Sequence, residues 1–152
     1  MVYRLPAFMV AFLAGTLPAA DKPHYTVTGK VVAIADGDTL TVLDDAKVQH
    51  KIRLAGIDAP ERKQAFGTKS REVLAGKLFG KIVRVDVVDV DRYRREVGRI
   101  YLGDRFINLE MVRQGFAWRY VRCEKAGEFS DAERVAREKR RGLWADPNPV
   151  PP

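Results

Sequence analysis

An Asp-Gly-Asp sequence at residues 36–38 separates two apolar runs, and this pattern limits what the chain can fold into. The first run, residues 25–34, is rich in valine and threonine, and residues 39–43 resume the same composition. Glycine and aspartate accept the positive φ angles that tight β-turns need, so the two runs are predicted to form a hairpin. The first folded element is therefore expected to be an antiparallel pair of strands.

Three further strands are predicted downstream. Residues 48–54 alternate: Val48, His50, Ile52 and Leu54 share one face, and Gln49, Lys51 and Arg53 share the other. Residues 81–90 also alternate, but the apolar phase shifts at Val88, which indicates a β-bulge. Residues 97–102 form the fifth strand, and Gly29 is expected to mark a bend in the first.

Helical patterns interrupt and follow these strands. Residues 68–79 carry apolar side chains at helical spacing and stop at Gly80. Asn108 is predicted to cap a short helix over 109–114, and a capping box at Ser130 to open a helix that runs to Arg141, after which the chain folds back at Leu143 and Trp144. The predicted fold is α+β but mainly β: a five-stranded Greek-key OB-fold barrel with three helices.

The chain of 152 residues divides into three parts. Residues 1–20 have one arginine, an apolar run and small residues at the end, which is the layout of a secretory signal peptide; an uncleaved anchor is the alternative. Residues 21–146 form one domain, and residues 147–152 are a proline-rich tail. A secreted or periplasmic protein is expected.

Charge and cysteine content restrict the classes of function. The formal net charge of +7 favours an anionic partner, either nucleic acid or an anionic membrane surface. A single cysteine, Cys123, excludes an intrachain disulfide and is either a buried filler or a free thiol. With only two histidines and this one cysteine, a zinc site of Cys and His ligands is excluded by count.

Carboxylates are concentrated at the ends of the second and third strands. Asp38 begins the second strand, and Asp58 and Glu61 follow the third. Calcium and magnesium prefer oxygen ligands, so two aspartates, a loop carbonyl and waters would form an open calcium site. The alternative is that these acids only cap turns on a basic surface.

Arginines accompany these acids. Arg53 ends the third strand, and residues 91–96 form a highly charged hairpin. Guanidinium groups bind phosphate oxygens in a planar fork and stay charged at any working pH, so Arg53 and one hairpin arginine would flank a phosphate opposite a metal. A nearby carboxylate such as Glu61 would then act on the attacking water. Some hairpin arginines are instead expected to form surface salt bridges with Asp91 and Glu96.

The chain resembles the staphylococcal-type thermonuclease family. The resemblance covers residues 25–144 and rests on four blocks in order: Ala-Asp-Gly-Asp-Thr at 35–39, Arg-Leu-Ala-Gly-Ile-Asp-Ala-Pro-Glu at 53–61, Asp-Arg-Tyr-Arg-Arg at 91–95, and residues 108–115. It implies an OB barrel and calcium-dependent hydrolysis of DNA and RNA to 3′-phosphate products.

The resemblance also implies roles for individual residues. The metal ligands would be the carboxylates of Asp38 and Asp58 and the Ala59 backbone carbonyl, with Asp36 as a supporting acid in the second shell. The catalytic residues would be Arg53, Arg95 and Glu61. Substrate contacts would come from Arg92, Tyr93 and Tyr120.

Two positions depart from the family pattern. Arg94 stands where the family usually has glycine, so the conformation of the hairpin decides whether Arg94 or Arg95 reaches the phosphate. Ala59 replaces a threonine, which preserves a backbone ligand but removes a hydroxyl. The predicted function is a monomeric, calcium-dependent nuclease with DNA and RNA as substrates. The alternatives are a non-catalytic nucleic-acid-binding OB-fold module and an envelope-tethered binding protein.

Overall fold

The computed structural model describes residues 23–120 and 127–152. In chain order the elements are β1 (Tyr25–Asp36), β2 (Thr39–Asp44), β3 (Gln49–Leu54), β4 (Ile57–Asp58), α1 (Gly67–Leu78), β5 (Ile82–Val90), β6 (Glu96–Leu102), β7 (Arg105–Phe106), α2 (Ile107–Arg113), β8 (Trp118–Arg119), α3 (Glu128–Glu138) and a 3₁₀ turn (Gly142–Ala145). The predicted signal peptide and Cys123 lie outside the described residues.

Five strands close into a barrel, as predicted. Their order is β3-β2-β1-β5-β6 with antiparallel neighbours, and β3 pairs in parallel with β6 from Ile52–Glu96 to Leu54–Gly98. This parallel seam joins the two outer strands, so both edges of the sheet are paired there. The short β4 and β8 form a separate two-stranded ribbon.

Bulges let the long first strand serve two neighbours. β1 pairs with β5 through residues 25–30 and with β2 through residues 29–36, and its register with β2 shifts after Val31 and after Ile34. The predicted bulge in β5 is confirmed between Val87 and Asp89. Gly29 lies where the two pairings overlap, and a Cβ there would collide with the Leu43 carbonyl.

The core fills the barrel and the space under α1. Its fully buried side chains alternate along the strands and are completed by helix residues: Val31, Leu40, Val42, Ile52, Leu54, Leu74, Leu78, Val83, Val85, Val87 and Ile100. A second, smaller cluster consists of Ala136, Leu143 and Trp144, with Phe66 and Trp118 packed against it. The expected return of the chain at Leu143 and Trp144 is therefore confirmed.

Two predicted helix starts are wrong. α2 begins at Ile107, so Asn108 is inside the helix, where its buried amide bonds to Ala55 and Gly98. α3 spans Glu128–Glu138 rather than 130–141, and it has no side-chain cap. The Asn108 side chain instead bonds to the backbone of the β3–β4 turn and of β6, and Glu133 of the predicted capping box bonds to Arg119.

The β1–β2 turn also differs from its prediction in one physical detail. Gly37 does not take a positive φ; it is required because a Cβ would collide with the Ser70 side chain and lie against Ala59. The turn is thus packed directly against α1. None of the helices within residues 23–120 and 127–152 is long and apolar enough to span a membrane.

Candidate active site

One end of the barrel gathers the turns that carry the predicted site residues. Thr39 pairs with Arg53 across β2 and β3, and Arg53 pairs with Val97 across the parallel seam. This register places the β1–β2 turn, the end of β3 and the end of the β5–β6 hairpin side by side. Asp58 follows four residues after Leu54, on β4.

Arg53 is bonded to both predicted metal-binding aspartates. Its Nη1 lies 2.8 Å from Asp38 Oδ2, and its Nη2 lies 2.9 Å from Asp58 Oδ1. Nη1 also donates to the Ile57 carbonyl at 3.1 Å. The Arg53 side chain is 18% exposed, so one guanidinium fixes both carboxylates in a largely desolvated setting.

Asp38 is the most rigidly held acid of the site. It is buried, and its Oδ2 accepts the Ala59 backbone N–H at 2.8 Å while its Oδ1 accepts the Thr39 hydroxyl at 3.0 Å. Its carbonyl accepts the Leu54 N–H at 2.8 Å. These bonds join the β1–β2 turn to β3 and to the loop after β4.

The carboxyl group of Asp58 has a raised pKa. Burial raises the pKa of Asp58, and the neighbouring charge of Asp38 raises it further, whereas Arg53 lowers it without cancelling the rise. Two carboxylates therefore face a single guanidinium, which leaves an excess of negative charge at this position.

Two carboxylates of this cluster could hold a divalent metal ion. Asp38 and Asp58 offer carboxylate oxygens close together with uncompensated charge, which fits a hard cation such as Ca²⁺ or Mg²⁺. Within the described part of the chain, no group of three or more His, Cys, Asp or Glu side chains could hold a metal. A cation here would complete its coordination with a backbone carbonyl and water.

Glu61 lies in the loop between β4 and α1. Its backbone N–H donates to Gln64 Oε1 at 2.7 Å, and its carbonyl accepts the Gln64 N–H at 2.8 Å. The residue is exposed, and among the described residues its carboxylate makes neither a hydrogen bond nor an ion pair. The backbone is fixed while the acid itself faces solvent.

The β5–β6 hairpin presents Arg95 to the site and leaves Arg94 exposed. Arg94 takes a φ of 61°, the left-handed conformation that glycine adopts without strain. Arg95 Nε lies 2.7 Å from Asp91 Oδ2, and its Nη1 lies 3.4 Å from the Thr39 hydroxyl. Arg95 thus lies beside the residue that bonds to Asp38.

The predicted substrate-binding residues surround this cluster. The Arg92 guanidinium lies 4.8 Å from the Tyr93 ring centroid, and that ring is 65% exposed. Tyr120 is also exposed, and its N–H donates to the Gly56 carbonyl at 2.8 Å, in the turn that leads to Asp58. Asp36 ends β1 opposite Thr39 and is partly exposed.

Three residues have structural roles in the site that the sequence did not assign, although the expected ion pair of Asp91 with a hairpin arginine is confirmed by its contact with Arg95. Asp91 accepts the N–H groups of Tyr93 and Arg95 and so shapes the hairpin; an aspartate before a short polar turn was the available signal. Thr39 links Asp38 to Arg95. Trp118 pairs with Asp58 through β8 and β4, a contact between segments far apart in the chain.

Comparison with known proteins agrees with this geometry. The profile of the staphylococcal nuclease homologue family matches residues 51–146, which is more than half of the chain. The chain belongs to this family. The matched range contains Arg53, Asp58, Glu61 and the whole β5–β6 hairpin.

Similar proteins cover most of the chain. An uncharacterized endonuclease of Haemophilus influenzae is 46% identical over 125 residues, which is 82% of this chain and 70% of that protein. A micrococcal nuclease of Shigella flexneri is 41% identical over 135 residues, covering 82% of this chain and 77% of the relative. A staphylococcal-like nuclease of Arabidopsis thaliana is 37% identical over 139 residues, covering 88% and 43%, respectively. The staphylococcal-nuclease-family chain described here is accordingly a nuclease.

Proposed function

We propose that this nuclease hydrolyses phosphodiester bonds of DNA and RNA in a calcium-dependent reaction that releases 3′-phosphate products. The observation that carries the proposal is the cluster in which Arg53 holds Asp38 and Asp58 together while Arg95 lies beside Thr39. The acids proposed to bind the metal and the arginines proposed to bind the phosphate would thereby act at one end of the barrel.

The metal would be held by the carboxylates of Asp38 and Asp58 and by the Ala59 carbonyl, with Asp36 as a supporting acid nearby. When bound, calcium would act as a Lewis acid that neutralises charge on a phosphate oxygen. The bond between the Ala59 N–H and Asp38 keeps the proposed backbone ligand next to the proposed carboxylate ligand.

The side chains of this chain would perform the remaining chemistry. Arg53 and Arg95 bind phosphate oxygens, on which negative charge grows as the reaction proceeds. The Glu61 carboxylate, free of protein partners among the described residues, accepts a proton from the attacking water. The water oxygen bonds to phosphorus, the bond from phosphorus to the 5′-oxygen breaks, and that oxygen leaves as a hydroxyl after taking up a proton.

Substrate binding would extend beyond the cleaved phosphate. The exposed rings of Tyr93 and Tyr120 offer stacking surfaces for bases, and Arg92 adds charge beside Tyr93. The net charge of +7 attracts a polyanion of either sugar type. We further propose that the protein is monomeric and is exported by means of residues 1–20.

The experiment is digestion of plasmid DNA, single-stranded DNA and RNA with calcium, with magnesium and with chelator. We expect cleavage with calcium and no cleavage with chelator. We also expect the products to carry 3′-phosphates, so that a polymerase can extend them only after treatment with a phosphatase. Binding without cleavage in every metal would instead identify a non-catalytic OB-fold module.

The Glu61→Gln variant tests directly whether Glu61 accepts the proton of the attacking water. We expect it to lower kcat by about 10²–10⁴-fold while substrate affinity changes little, because the proton acceptor is lost but no phosphate contact is. Glu72→Gln is the matched control, since Glu72 is an exposed glutamate on α1 with only a 3.9 Å pair to Lys69. An equal loss in both variants would contradict the role assigned to Glu61.

A further inference from the structure

The imidazole of His50 lies between two carboxylates from different strands. Its Nε2 is 3.1 Å from Asp44 Oδ2, and its Nδ1 is 3.0 Å from Glu96 Oε2. The Tyr25 hydroxyl donates to Glu96 Oε1 at 2.7 Å from the other side. His50 shares the face of β3 that carries the buried Ile52 and Leu54, as the alternation predicts, but its side chain is only partly buried and lies in a polar network.

This geometry favours the protonated form of His50. A neutral imidazole has one N–H and can donate to only one of the two carboxylates, whereas an imidazolium donates to both. Burial by itself would lower the pKa of His50, but the hydrogen bonds with Asp44 and Glu96 outweigh it and raise the pKa above 6.5. The arrangement is that of a partly buried ion triad.

The triad lies at the parallel seam of the barrel. Glu96 is the first residue of β6, pairs with Ile52 across the seam, and directly follows Arg95 in sequence. It also pairs with Val90 at the base of the β5–β6 hairpin. Any loosening of Glu96 would therefore act on the residue immediately before it.

We propose that His50 is a positioning residue for the nuclease reaction: its imidazolium fastens Glu96 at the seam and thereby holds the hairpin that carries Arg95. The inference rests on the proposed function, in which Arg95 binds the phosphate. Asp44 anchors the opposite ring nitrogen, so the imidazole plane spans from the end of β2 to the start of β6.

His50 is the group in this network whose unperturbed pKa lies nearest to neutrality. The titratable groups that contact it are Asp44 from β2 and Glu96 from β6, with Tyr25 from β1 behind Glu96; in the described residues no lysine or arginine forms an ion pair with either carboxylate. The hydrogen bond to Glu96, together with burial, raises the pKa of Tyr25 to about 12, so its hydroxyl keeps donating. The contribution of the His50 charge is fully present below pH 6.5, as long as the two carboxylates are ionised, and is lost as pH rises through the elevated pKa of His50.

The first test needs no catalysis. The full chain has two histidines, so a His24→Gln variant assigns the imidazole NMR signal of His50. We expect that signal to titrate above pH 6.5, and Glu96→Gln to lower its midpoint by removing one carboxylate. A midpoint at or below 6.5, or one that Glu96→Gln leaves unchanged, would overturn the triad whether or not the protein cleaves nucleic acid.

The second test asks whether the triad acts on Arg95. His50→Gln should lower kcat at pH 6 by roughly 10-fold with little change in KM, because misplaced catalytic groups cost rate. The ratio of wild-type to variant kcat should fall toward unity as pH rises through the His50 midpoint. His50→Lys, which keeps a cation, should restore part of the rate and keep it at higher pH.

The outcomes separate the two proposals. If the NMR midpoint is raised as expected but the wild type cleaves no nucleic acid, the proposed function is wrong. The positioning role is then wrong as well, and the triad has only a structural role. Cleavage with a pH-independent ratio, or an equal loss in the exposed-histidine control His24→Gln, would overturn the positioning role of His50 while the nuclease proposal stands.

Discussion

Asp38 and Asp36 differ in how the fold holds them, although only Gly37 separates them. Asp38 is buried and accepts bonds from Arg53, Ala59 and Thr39. Asp36 is partly exposed at the end of β1. A carboxylate held by several donors in a desolvated place is organised in advance for a cation, whereas an exposed one contributes mainly charge.

Metal binding should therefore respond unequally to the two acids. Asp38→Asn removes a proposed ligand charge and should weaken calcium binding strongly, while Asp36→Asn should weaken it less. Isothermal titration of each variant with calcium measures the difference. Equal effects would show that the two acids share one role.

Arg94 and Arg95 of the β5–β6 hairpin also differ in backbone conformation and in side-chain contacts. Arg94 occupies a left-handed conformation, with φ of 61°, that costs a non-glycine residue about 1 kcal/mol. Arg95 pairs with Asp91 and approaches Thr39. Arg94 thus keeps, at a cost in strain, the turn conformation that glycine usually provides in the family. This turn places Arg95 beside Thr39.

We expect Arg94→Gly to stabilise the protein by about 0.5–1 kcal/mol and to leave kcat unchanged, because the strain is relieved and no site contact is lost. Arg95→Ala should lower kcat by about 10²–10³-fold. Urea midpoints and steady-state kinetics measure both. If Arg94→Ala reduces turnover as much as Arg95→Ala, the assignment of the phosphate-binding arginine is wrong.

At the scale of elements, Asn108 joins α2 to two parts of the barrel. Its Nδ2 donates to the Ala55 carbonyl at 2.9 Å and to the Gly98 carbonyl at 3.0 Å, and its Oδ1 accepts the Ile100 N–H at 2.9 Å. The side chain is fully buried. Ala55 belongs to the turn between β3 and β4, so this amide supports the segment that leads to Asp58.

Asn108→Ala should lower the free energy of unfolding by about 2–4 kcal/mol, because buried backbone groups lose their partners without access to water. Denaturant unfolding measures this loss. The exposed Asn148 is the control, and Asn148→Ala should change stability by less than about 0.5 kcal/mol. A loss below 1 kcal/mol for Asn108→Ala would mean that water replaces the amide.

At the scale of the whole molecule, Glu110 connects three elements through ion pairs. Glu110 of α2 pairs with Lys77 of α1 at 2.8 Å and with Arg105 of β7 at 2.7 Å. The hydrogen bond from Arg105 has the largest effect on the pKa of Glu110 and lowers it. Burial opposes this effect, but the hydrogen bond from Lys77 and the charges of both cations also lower the pKa, which falls to about 2. Deprotonated Glu110 therefore links α2 to α1 and to β7 through ion pairs.

The sign of the resulting pH dependence follows from the lowered pKa. The contribution of Glu110 is present above pH 4.5 and is lost as pH falls toward 2. Glu110→Gln should cost on the order of 2 kcal/mol at pH 7, and the difference from wild type should shrink below pH 4. Urea midpoints at pH 7, 4 and 3 measure this, and a pH-independent difference would assign the loss to packing instead.

The amino-acid sequence by itself determined the five barrel strands in chain order and the bulge in β5, and it predicted the acids and arginines that meet at one end of the barrel. Alternation at period two needs only near neighbours, so it predicts strands without knowledge of their partners. The four ordered blocks likewise contained the acids and arginines that the barrel brings together. Boundaries of β2, β3, α1 and β5 agreed to within a residue or two.

Only the tertiary structure decided which polar side chain bonds to which. Asn108 and Glu133 read locally as helix caps, yet Asn108 bonds to Ala55 and Gly98, and Glu133 bonds to Arg119 at 3.1 Å. The His50 triad and the two ion pairs of Arg53, with Asp38 and with Asp58, also join residues that are distant in the sequence or lie on different elements. Buried polar groups must find partners, and in a closed barrel those partners lie on strands that are distant in the chain.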